Sequence, residues 1–256
     1  MSPSPWRSLP PWRVCASRSM GLPIMLMCIV WLLTRNVSSR AVRGTMLISM
    51  VGLVVMGYPL GQILYGDAGV ARVAMYDIGN VLFISTAALW IAQAYGTRGR
   101  QNLSGSLLAI LKTPLIWAVI AGVALSLLRI PITGVVADVT DRLAAANTPL
   151  MMISVGTYLI PRMSQLRQVL LVAFIRMVLG GLLGWALVRL VGLGNMETVL
   201  ITTLASLPVG ATPLIYSSSE GLDAELAAAC ISFTVVVSVV VISFLPYLLR
   251  TWYPVG

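Results

Sequence analysis

The chain has no histidine, a single lysine (Lys112) and only eight acidic side chains in 256 residues. Without histidine there is no imidazole acid–base chemistry and no histidine-ligated metal. Lys112 lies in no glycine-rich phosphate loop, which excludes a Walker-type nucleotide site. The three cysteines, Cys15, Cys28 and Cys230, are odd in number and lack metal-ligand spacing. They read as packed, inert side chains. Ser217-Ser218-Ser219 has no base in view and reads as a polar helix exit rather than a nucleophile. No acid, base and nucleophile converge in the pattern, so the chain is not expected to be an enzyme and needs no cofactor. Charged residues make up 10% of the chain, well short of the roughly 25% of a soluble domain.

What is present is apolar sequence. Hydrophobic residues reach 58% and mean hydropathy is +0.93. The apolar residues fall in long runs separated by short loops, which defines an all-α polytopic membrane protein. Spans are expected at 20–34, 45–65, 73–95, 113–129, 143–160, 168–191, 198–217 and 226–249, about eight in all. Residues 131–142, with Asp138, Asp141 and Arg142, read as a loop or interfacial helix. Residues 1–19 form a basic tail rich in Trp and Pro, and 96–112 form a polar linker that divides the chain.

The net charge of +9 comes mostly from arginines in the loops. One side receives Arg35, Arg40, Arg43, Arg98, Arg100, Lys112, Arg162 and Arg167. The other, without the tail, receives Arg72, Arg129, Arg142, Arg189 and Arg250. This is the positive-inside pattern, so the first side is cytoplasmic and no nucleic-acid partner is expected. The partner is the lipid bilayer, in a multi-pass protein of the plasma (inner) membrane. The three arginines of the tail fall on the wrong side, as if something that should precede the tail were missing.

Two segments repeat one device. Gly52 to Leu60, with Gly57-Tyr58-Pro59, is an apolar stretch broken by Gly and Pro. Thr203 to Leu214, with Pro208, Gly210, Thr212 and Pro213, is another. In a membrane the backbone groups freed by a break must be satisfied inside the protein, so a break lines a cavity. A matched pair of broken spans in two halves points to a transporter's binding site. Residues 20–95 and 168–249 both read helix, broken helix, helix. Helices 113–129 and 143–160 precede the second unit and nothing equivalent precedes the first. Equal halves would hold five spans each, and an odd number inverts the second copy.

In this layout the chain resembles the auxin efflux carrier family of membrane transport proteins. Gly57-Tyr58-Pro59-Leu60 followed by Tyr65-Gly66-Asp67-Ala68-Gly69 is similar to the family's first break and turn. Asp77 through Asn80 resembles its fifth helix, and Thr113-Pro114-Leu115-Ile116 through Ile130-Pro131 its sixth. Thr148-Pro149-Leu150 with Val155-Gly156-Thr157-Tyr158-Leu159 resembles the seventh, and Ser206-Leu207-Pro208 the broken ninth. The resemblance covers roughly residues 20–250. It implies two inverted five-helix repeats, of which this chain is an incomplete version without the first two helices. It also implies a scaffold, a moving domain, a homodimer, and a small organic anion such as auxin, malate or malonate as substrate. In one position the chain departs from the family. Gly52 stands where the family often has Asn, about seven residues before the first Pro.

The candidate substrate site is therefore Gly52, Gly57, Tyr58, Pro59, Pro208, Gly210, Thr212 and Pro213, where half-helix N-termini would meet a carboxylate. Arg176 lies inside its span and either attracts the anion or snorkels to the interface. Asp77 and Asn80, three residues apart on one helical face, are candidates for the coupling ion. Otherwise Asp77 binds a cation or caps its helix. The leading expectation is a secondary transporter of small organic anions. The alternative is a truncated or degenerate paralogue without transport, at most a membrane assembly partner.

Overall fold

The computed structural model describes residues 21–35, 37–97, 134–157 and 165–253, with isolated positions at 117, 121, 122, 124, 125 and 128. The tail and most of both the linker and the span expected at 113–129 lie outside these residues. The described elements are helical. In order they are α1 (Gly21–Leu33), α2 (Arg40–Ile48), α3 (Gly57–Phe83), α4 (Leu89–Tyr95), α5 (Val135–Thr157), α6 (Leu166–Ala173), α7 (Gly180–Val191), α8 (Asn195–Ala205), α9 (Thr212–Glu220) and α10 (Ala224–Trp252). A 3-10 turn, Val54–Met56, leads into α3. Wide π turns join α3 to α4 (Ile84–Ala88) and α6 to α7 (Phe174–Leu179).

Three continuous helical stretches among the described residues are apolar and long enough to cross a bilayer: Val54–Tyr95, Leu166–Val191 and Ala224–Trp252. The first, at 42 residues, would be roughly 63 Å long if straight, twice the hydrocarbon thickness. It is not straight. Gly66 adopts φ 57°, ψ −146° inside α3. Gly61 and Gly69, about 12 Å apart along an unbroken helix, lie backbone to backbone: a Cβ on Gly69 would sit 2.2 Å from the Gly61 carbonyl oxygen. The chain thus folds back at Gly66 into two antiparallel arms, 54–65 and 67–95. The second arm starts at 67 rather than the expected 73, because a glycine with positive φ turns the chain without a polar loop.

Each break is flanked by capped half-helices. Ser39 caps α2, its hydroxyl accepting the Val42 N–H. Pro213 occupies the first turn of α9, where its missing N–H costs nothing. Gly221, at φ 73°, ends α9. Asp223 caps α10 through the Leu226 N–H at 2.9 Å and accepts from Gln165 Nε2 at 2.8 Å. The Asp223 N–H also donates to Thr45 Oγ1 at 3.1 Å, tying α2 to the start of α10. The main core gathers apolar side chains of α1, α2, α4, α6 and α10, including Leu26, Met46, Ile48, Val172 and Leu226. A smaller cluster, Val54, Val73, Tyr76, Leu204 and Leu207, seals the two breaks against one another.

Two boundaries differ from expectation. Residues 135–142 are not a loop: α5 runs unbroken through Asp138, Asp141 and Arg142, which are exposed on its surface. No glycine or proline separates them from the following apolar run, so nothing ends the helix there. The first break falls at 49–53, upstream of the expected 57–59. Gly57 and Pro59 belong to the first turn of α3, where a proline interrupts no hydrogen bond.

Candidate functional site at the crossing of two broken helices

The two breaks meet. Gly52 and Val209 form an isolated antiparallel bridge. The Leu53 N–H donates to the Pro208 carbonyl at 2.9 Å, and the Gly210 N–H donates to the Val51 carbonyl at 3.0 Å. Two strands of unwound chain thus satisfy each other in the middle of apolar helices, as a membrane interior demands. A third bond, from the Val209 N–H to Thr234 Oγ1 at 3.1 Å, ties the crossing to α10. Gly210 is confined here: a Cβ would come within 3.3 Å of the Gly52 carbonyl oxygen.

Arg176 reaches this crossing from the π turn between α6 and α7. It is 1% exposed. A Cβ on Gly52 would lie 1.8 Å from Arg176 Nη2 and 2.9 Å from Cζ, so the guanidinium occupies the space a side chain at 52 would need. The Tyr76 hydroxyl hydrogen-bonds the guanidinium. Nε and Nη1 are buried without a hydrogen-bond partner. Among the described residues the one ion pair is Arg72 to Glu197 at 2.7 Å, and Arg176 makes none. A buried charge with two unpaired donors is costly as it stands. The snorkelling alternative is excluded, because the guanidinium points into the protein.

Asp77 lies ten residues inside the second arm of α3, so it caps nothing. Its carboxylate accepts from the Tyr58 hydroxyl at 3.1 Å and from Asn80 Nδ2 at 3.4 Å. Asn80 is buried, and its Nδ2 also faces the Gly52 carbonyl at 3.5 Å. Gly52 is therefore flanked on one side by Arg176 and on the other by an Asn80–Asp77–Tyr58 chain.

The remaining sequence candidates scatter around this centre. Pro208 and Gly210 supply backbone groups to the crossing. Thr212 and buried Pro213 open α9 just beyond it. Gly57 is buried against Leu204, where a Cβ would lie 2.2 Å from Leu204 Cδ2, so its role is close packing of the two breaks. Pro59 is half-buried in the first turn of α3. Val209, Thr234 and Tyr76 were not singled out by sequence. Thr234 gives no signal within an apolar run, and Tyr76 could have been found only by its place next to Asp77.

A groove of about 760 Å³ also opens between α7, α8 and α10, lined by Phe174, Leu182, Trp185, Phe233 and Phe244 among others. Its lining carries no charged side chain, so it offers an anion nothing that the crossing does not offer better. Gly180, Gly181 and Gly184 let α7 approach the end of α8 closely beside it: a Cβ on Gly181 would lie 2.2 Å from Ser206 Oγ.

The family model for membrane transport proteins matches residues 11–246. The chain belongs to this family. It is 24% identical to an uncharacterized transporter of Methanothermobacter thermautotrophicus over 214 residues, 82% of this chain and 69% of the relative. It is 24% identical to an uncharacterized transporter of Methanocaldococcus jannaschii over 218 residues, 80% of this chain and 68% of the relative. As a member of the membrane transport protein family, the auxin efflux and bile acid carrier type, the chain is a multi-pass transporter of the plasma membrane.

Proposed function

We infer that the chain is a secondary transporter of small organic anions that works by alternating access, with the substrate's carboxylate at the crossing. The observation that carries this reading is Arg176, a buried guanidinium with two unpaired donors beside unwound backbone. An ionised carboxylate would supply charge and acceptors to a group that lacks both. The N-terminal ends of the 54–65 arm and of α9 flank the crossing on opposite sides, and each dipole favours negative charge at its own end. Auxin-like acids and small mono- or dicarboxylates are the substrate class, Gly52 leaves the guanidinium its room, and Asp77 with Asn80 forms the coupling site.

The test is counterflow in vesicles containing the chain. Vesicles preloaded with unlabelled indole acetate, malate or malonate should accumulate the same labelled acid, and Arg176→Ala should abolish this. Absence of counterflow for all three acids would overturn the reading and favour an assembly partner without transport.

A further inference from the structure

We propose that transport is electroneutral, with one proton carried on Asp77 for each singly charged anion held by Arg176. The inference rests on the transporter reading above and concerns the charge that the moving body carries. Among the described residues, Asp77 and Arg176 are the two ionisable acid–base groups joined through Gly52: the acid through Asn80 to its carbonyl, the base against its Cα. They are not ion-paired with each other. Each is therefore free to be neutralised separately.

The groups facing Asp77 are few. Tyr58 comes from the preceding arm and Asn80 from its own helix, and the neighbouring Tyr76 is bonded to Arg176 instead. Arg72, five residues earlier on the same arm, is neutralised by Glu197 of α8. Net charge at the bilayer centre is strongly disfavoured, so conformations that change sides should be those without it. Two such states exist. The empty carrier holds Arg176 positive and Asp77 negative. The loaded carrier holds Arg176 positive, the anion negative and Asp77 protonated, the proton taken from the same aqueous phase as the anion. Binding the anion without the proton leaves one net negative charge, and binding the proton alone leaves one net positive charge; neither state crosses. A second negative charge on the substrate finds no counterpart, which selects monocarboxylates over dicarboxylates.

The driving force is measured on the full chain in vesicles, with chain-free vesicles as blank. An acid-outside gradient of one pH unit should accumulate labelled indole acetate roughly tenfold. A potassium–valinomycin potential of about 100 mV of either sign should change this less than twofold, where a single uncompensated charge would give roughly fiftyfold. Asp77→Asn should lose the response to pH and net accumulation while keeping counterflow, since its loaded form is neutral but its empty form carries a positive charge and does not return. Malonate, a dianion at pH 7.5, should enter at under about a tenth of the rate. Accumulation set by the potential and indifferent to pH overturns the inference while leaving the transporter reading intact. So does malonate entering as fast as indole acetate. Loss of all counterflow overturns both. The wild-type measurement decides the matter even if Asp77→Asn fails to fold.

Discussion

The two broken helices cross as equals but are equipped differently. At the bridge Gly52 faces Val209. Asp77 and Thr234 each follow their own crossing residue by 25 positions. Both belong to the second helical arm after the break. Thr234 Oγ1 accepts the Val209 N–H directly. On the other side the link from α3 to Gly52 runs through Asn80, which frees the Asp77 carboxylate for Tyr58. The span preceding each broken helix differs as well: α1, Gly21–Leu33, contains no charged residue, whereas the stretch Leu166–Val191 delivers Arg176. One half thus supplies an acid and the other a base to a shared centre. The two breaks are similar frames that receive groups of opposite charge.

The comparison is broken most severely at Gly52. Gly52→Ala places a methyl where the guanidinium lies, and counterflow of labelled indole acetate should fall at least about a hundredfold through a misplaced anion partner. Next is the fold-back. Gly69→Ala forces its Cβ into the Gly61 carbonyl and should cost about 2–4 kcal/mol, read as earlier thermal inactivation in detergent. Thr234→Val leaves the Val209 N–H without its acceptor and should cost about 1–3 kcal/mol in the same assay. Thr234→Ser, which keeps the acceptor, should recover most of that loss. The smallest effect belongs to Glu197→Gln. Its pair with Arg72 is partly exposed, and screening limits its loss to under about 1 kcal/mol, shrinking further in high salt.

The second break was legible in sequence because its helix breakers lie within it: α8 ends at Ala205, α9 begins at Thr212, and Pro208 and Gly210 stand between. The first was displaced because Ser49-Met50-Val51-Gly52-Leu53 contains no proline and reads as ordinary apolar helix. Its unwinding is imposed by pairing with the other break, a tertiary effect that local propensity does not report. Pro59 misled because a proline in the first turn of a resumed helix resembles one that interrupts it. Arg176 was visible as a charge inside an apolar run, but the room made for it by Gly52 was not, since the two lie far apart in sequence. The lack of a side chain at 52 is what leaves room for the arginine at 176.

The fold-back at Gly66 has a consequence for how the chain is made. The arm 54–65 holds twelve residues, roughly 18 Å of helix, too short to cross the roughly 30 Å hydrocarbon layer alone. Its start, moreover, is an unwound segment whose backbone partners are made about 150 residues later. During synthesis this arm can enter the bilayer only as one leg of a closed hairpin with 67–95, and its open end must wait in a watery or protein-lined place until Pro208 and Gly210 arrive. The Gly61–Gly69 contact is what closes that hairpin.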